Sequence, residues 1–221
     1  MNFLKFLLRV EIIKDLFIHP KKALAEIDSY SEKYFFPAIA VLIFSAIAAS
    51  IADASGTWSQ VFDVDATTEP IDHVSNFAWA IVAGFFSPVL MLWIARKIYK
   101  VQSNFKRLFS TLTFAGLPFS IMSIPLGIVM SLYLISLIES PELDDGMSFV
   151  IISILAYIPL VIHLIILMIM ATKQSLELRL GQVVAVWILS ALIFLGIAAV
   201  FGSILGVLGG FGFRYSDFAI S

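Results

Sequence analysis

The 221-residue chain contains no cysteine, which excludes disulfides, iron–sulfur clusters and thiol chemistry. No Asp, Glu, Lys or Arg occurs in its five long apolar stretches, residues 35–52, 76–94, 108–138, 148–170 and 182–208. Proton- and ion-coupled transporters, voltage sensors and intramembrane proteases usually need charge at depth, so this lack weighs against them. No Ser/His/Asp grouping, phosphate-binding glycine loop or paired acid and base appears in any connection. The reading is therefore non-enzymatic and without a cofactor. No N-x-S/T sequon occurs, which leaves a bacterial origin open. The first residues do not form a convincing signal peptide, because Lys5, Arg9 and Glu11 break their apolar run and no A-x-A site follows. No connection is long enough for a soluble domain. A net charge of −2 argues against a nucleic-acid partner.

What the chain does have is apolar length. It is 60% hydrophobic and 14% charged, outside the soluble globular range. Each apolar stretch can cross a hydrocarbon core of ~30 Å at ~1.5 Å per residue. The basic residues collect in alternate connections: Lys5, Arg9, Lys14, Lys21, Lys22 and Lys33 before the first stretch, Arg96, Lys97, Lys100, Lys106 and Arg107 between the second and third, and Lys173 and Arg179 between the fourth and fifth. The other two connections have none, and Arg214 alone follows the last stretch. The positive-inside rule then puts the N-terminus in the cytoplasm and the C-terminus outside. The expected fold is an all-α, polytopic membrane protein of five transmembrane helices with N-terminal interfacial helices. Its parts are an N-terminal segment, 1–34, a membrane domain, 35–208, and an outer tail, 209–221.

Residues 1–18 read as a helix that either lies in the inner interface or packs against the end of the bundle. Pro20 suits the first turn of a second short helix over 21–29. The third stretch is the odd one, since about 31 residues make a straight helix of ~46 Å. It holds Gly116, Pro118, Pro125 and Gly127. Each proline removes a backbone donor, so a kinked or broken helix is expected between Gly116 and Pro125; a break would leave an interfacial piece over 105–117 and a spanning piece from Pro118. A hydroxyl row, Ser110, Thr111, Thr113, Ser120 and Ser123, follows this stretch. Ser120 and Ser123, with His163 on the fourth stretch, form a candidate intramembrane polar site; a structural histidine bonded to a neighbouring helix is the plainer reading. No second metal-ligating group accompanies His163 on its helix. Asp63, Asp65 and Glu69 resemble the start of a calcium loop but lack its glycine and closing glutamate. Ala198, Gly202, Gly206 and Gly210 fall four apart on one face of the fifth stretch. Small residues in this pattern let two helix backbones approach closely, either across a homodimer seam or within the chain.

Some segments resemble bacterial Yip1-domain proteins. Residues 16–27 (LFIHPKKALAEI) look like the family's opening, a proline followed by a short helix. Residues 104–118 (NFKRLFSTLTFAGLP) are similar to its entry to span three, and residues 209–215 (GGFGFRY) to the glycine–aromatic–arginine tail of its inner-membrane branch. The resemblance implies five spans, no catalytic residues and a bacterial inner-membrane location; some bacterial members are labelled transporters. Eukaryotic members bind Rab GTPases and act in trafficking, but they carry a longer N-terminal region, so Rab binding is not carried over. Two functions follow for such a chain, both with membrane lipid as a partner. One is a non-enzymatic scaffold that organises the membrane. The other is a small permease or channel for a neutral or lipidic substrate. A polar cavity reaching mid-depth beside Pro118 favours transport, whereas a solid core favours the scaffold.

Overall fold

A computed structural model describes residues 10–54, 70–139 and 146–212, with side-chain surroundings over 11–50, 77–129 and 151–200 apart from Ser153, Ile154 and Ala198. The described residues form seven helices and no strand. Two are short, α1 (Val10–Ile18) and α2 (Pro20–Ser29). Five are long: α3 (Ser31–Ala54), α4 (Pro70–Tyr99), α5 (Phe105–Glu139), α6 (Gly146–Leu176) and α7 (Leu180–Gly212). Each long helix contains a stretch long and apolar enough to cross a membrane: Ser31–Ser50, Phe77–Tyr99, Phe105–Val129, Leu155–Leu176 and Leu180–Ile197. Their outer faces expose large apolar side chains such as Trp93, Ile158, Ile162, Ile166, Leu192 and Leu195. A continuous apolar surface of this kind suits lipid and not water.

The helix ends near the basic residues are locally specified. Asn104 caps α5 by accepting a bond from the Arg107 N–H at 2.8 Å. Gln182 reaches back to the Arg179 N–H at 2.9 Å at the start of α7. Glu177 ends α6 in the left-handed region (φ 55). The Leu178 N–H then bonds the Lys173 carbonyl at 3.3 Å, and Leu178 itself is buried, as in a Schellman cap.

The centre of the bundle is α5, which packs chiefly on α3 and α6. Its span is also the most enclosed of the five. Phe109 carries much of that packing. It stacks on Phe85 of α4 at 4.8 Å and on Phe105 at 5.3 Å, and meets Phe35 of α3 at 5.6 Å. Beneath these rings, α1 and α2 pack against the basic end through Leu16, Leu24 and Ile27, each 0% exposed. The described part of the first N-terminal helix, Val10–Ile18, thus packs against the end of the bundle.

Two expectations are corrected. The first long helix begins at Ser31 and not at residue 35, where the apolar stretch starts, and it takes in Pro37. Tyr34 is buried edge-on against Phe114 at 5.7 Å and its hydroxyl donates to Glu26 at 2.9 Å. These tertiary contacts carry the helix below the apolar stretch. The larger correction concerns span three. It is one continuous helix, Phe105–Glu139, through Gly116, Pro118 and Pro125, and not two pieces. A proline removes one N–H, but away from water the remaining helical bonds have no competitor, and close neighbours hold the backbone in place.

Candidate functional site in the membrane bundle

The five long helices do not fill the space between them. They line a half-open cavity of about 490 Å³ to which every one contributes. α5 supplies Leu112, Thr113, Gly116, Phe119, Ser120 and Ser123; α3 supplies Leu42, Ser45 and Ala49. Gly84, Ser87, Pro88 and Met91 come from α4, Tyr157, Leu164 and Met168 from α6, and Trp187 from α7. None of these side chains is charged. Most of the wall is apolar, and the polar exceptions are hydroxyls.

The hydroxyls are not scattered evenly. Ser120 donates to Ser45 Oγ across the α3–α5 seam at 2.9 Å, with the Gly116 carbonyl as its alternative acceptor at 3.3 Å. Ser123 donates to the Ser120 carbonyl at 3.0 Å. These bonds serve the carbonyls of Gly116 and Ser120 and not those of Phe114 and Ile121, which lose their helical donors to the prolines. Thr113, Ser87 and Tyr157 complete the polar part of the lining. At the basic end the wall is set by Trp187, whose indole Nε1 donates to Thr172 Oγ1 at 3.0 Å. Thr172 in turn donates to the Met168 carbonyl at 2.8 Å, so α6 fixes the ring from α7.

One turn further toward the basic end lies a charged cluster. The Asp28 side chain is 5% exposed and accepts two bonds from Arg107, from Nε at 2.8 Å and Nη2 at 2.6 Å. Ser175 donates to it at 2.8 Å, and Thr111 stands at 3.5 Å. Arg107 also donates through Nη1 to Glu177 at 2.9 Å. A buried carboxylate is tolerable only when paired and hydrogen-bonded, and here three helices, α2, α5 and α6, supply the pairing.

The residues singled out from sequence are distributed as follows. Gly116, Ser120 and Ser123 share the cavity wall. Pro118 is buried beside them, and Pro125 is exposed on the outer face of α5. His163 is not among the lining residues; it is half-buried and its Nε2 is enclosed without a partner, as are the hydroxyls of Ser110 and Ser190. Ala198, Gly202, Gly206 and Gly210 lie on helix α7, but their surroundings fall outside the described residues. The segment with Asp63, Asp65 and Glu69 also lies outside them.

Sequence reasoning missed Asp28, Ser175 and the wall residues Ser45, Gly84, Tyr157 and Trp187. One signal was present. Asp28 follows Leu24 by four residues and Ile27 by one, so it sits on the apolar stripe of α2, where a lone carboxylate demands a partner.

A protein-family model described as Yip1 domain matches residues 14–204. Searches of curated proteins and of solved structures gave no match.

Proposed function

The chain belongs to the Yip1-domain family and is an integral membrane protein, and from that premise we propose that it binds and passes a neutral, lipidic molecule through its central cavity. The observation that supports this reading is the lining itself: apolar walls, a group of hydroxyls and no charge. A charged ligand would lose its water and gain no counter-ion, at a cost of several kcal/mol. An amphiphile with a hydroxyl or carbonyl head would bond the serines and bury its tail against Met91, Leu112, Met168 and Trp187. The volume is in the ~300–1,000 Å³ range of small-molecule sites. A scaffold needs no such space, so this function ranks above the membrane-organising one. We read the basic end as cytoplasmic from its Lys and Arg content, and the membrane as a bacterial inner membrane from the resemblance of the tail.

The test is binding of a fluorescent monoacylglycerol to the purified protein, against an equally labelled fatty acid that carries a carboxylate. The neutral probe should bind at least tenfold more tightly. Gly116→Phe should weaken it a further tenfold or more, since a Cβ at Gly116 meets only Met168 Cε at 3.5 Å and a larger side chain would project into the cavity. Equal binding of the two probes, or full binding by a folded Gly116→Phe protein, would sink the reading.

A further inference from the structure

We propose that helix α2 is a movable plug at the basic end of the cavity, and that the Asp28–Arg107 pair is its latch. The proposal rests on the cavity being a binding space, with α2 controlling access to it from the basic side.

The geometry puts the latch on the elements that build the wall. Arg107 is five residues before Leu112 on α5, or ~7.5 Å along the helix, and Ser175 is seven after Met168 on α6, or ~10 Å. Leu24 and Ile27 of α2, each 0% exposed, are buried at the basic end together with Leu108 (0%) and Leu176 (2%). Displacing α2 would uncover that end of the bundle.

The latch also has the properties of a reversible contact. Asp28 is in the last turn of α2, where the helix dipole disfavours an acid. Local structure thus does not hold the carboxylate there; the tertiary donors do. A buried ion pair is a poor stabiliser compared with apolar packing of the same shape, but it can part without leaving a stranded charge if each ion has somewhere to go. Asp28 would go to water. Arg107 would keep Glu177, whose side chain is 74% exposed, and a contact with the Gln174 carbonyl at 3.5 Å. α1 would travel with α2, to which Lys22 and Asp15 tie it at 3.1 Å.

The chain has no cysteine, so Thr113→Cys places a single thiol in the cavity wall. In vesicles of each orientation, a charged, membrane-impermeant thiosulfonate reagent should modify it slowly from the basic side. Adding Asp28→Asn should raise that rate at least tenfold from the basic side only. Ser175→Ala, which removes one donor and leaves the ion pair, should raise it severalfold, and decides the question if Asp28→Asn does not fold. Lys106→Gln removes an exposed pair at the same end, Lys106–Glu32 at 2.6 Å, and should change nothing. Unchanged labelling in folded Asp28→Asn or Ser175→Ala protein would overturn the latch, as would an equal rise from both sides or in Lys106→Gln. No ligand is used, so failure here and failure of neutral-lipid binding are separate results.

Discussion

Gly84 and Gly116 face the same cavity and answer differently to an added methyl group. A Cβ at Gly84 would overlap Leu42 Cδ1, so the Leu42 side chain must turn to admit it. A Cβ at Gly116 makes only an ordinary contact with Met168. Replacing a helical glycine by alanine is worth up to about 1 kcal/mol when space allows. Thermal melting in detergent should therefore show Gly116→Ala stabilised by about 0.5–1 kcal/mol and Gly84→Ala unchanged or destabilised. The opposite order would mean that Leu42 does not pack on Gly84. At this scale the sequence was only partly legible. The serines of α5 stood out as polar atoms in an apolar stretch. Asp28 showed only as a lone carboxylate on the apolar stripe of α2; its partner Arg107 is 79 residues away, and no local pattern names it.

For single elements, the two prolines of α5 make a matched pair. Both sit in a continuous helix, and both leave a carbonyl four residues back without its usual donor. Pro118 is buried and Pro125 is exposed. Alanine restores the N–H at either site. At Pro118 it also leaves a void, because the lost ring carbons had close neighbours. Pro125→Ala should thus stabilise by about 1–3 kcal/mol and Pro118→Ala by clearly less, read as melting shifts of the two variants. A larger gain at Pro118 would show that its ring strains the bundle more than it fills it. The positions of the long helices could be read from apolar length alone, since a span needs ~20 residues whatever its neighbours. The continuity of α5 could not. It depends on the enclosure given by α3 and α6, which no property of residues 108–138 reports.

On the scale of the whole molecule, the basic residues gather at one end of the five spans, around Lys33, Arg96, Lys106, Arg107, Lys173 and Arg179. Gln102, exposed between α4 and α5, lies at that end. Gln102→Cys should react with an impermeant thiol reagent only from the cytoplasmic side, and Thr67→Cys only from outside. The reverse pattern would invert every sidedness argument. The cavity was legible only as a question, because the apolar helices look alike on every face and the sequence does not say which faces meet. Its uncharged wall has one more consequence. The membrane potential does about 2.3 kcal/mol of work per elementary charge per 100 mV. A neutral molecule moving past neutral hydroxyls carries no charge through that field. Under the transport reading its passage would be electrically silent and indifferent to the voltage across the membrane.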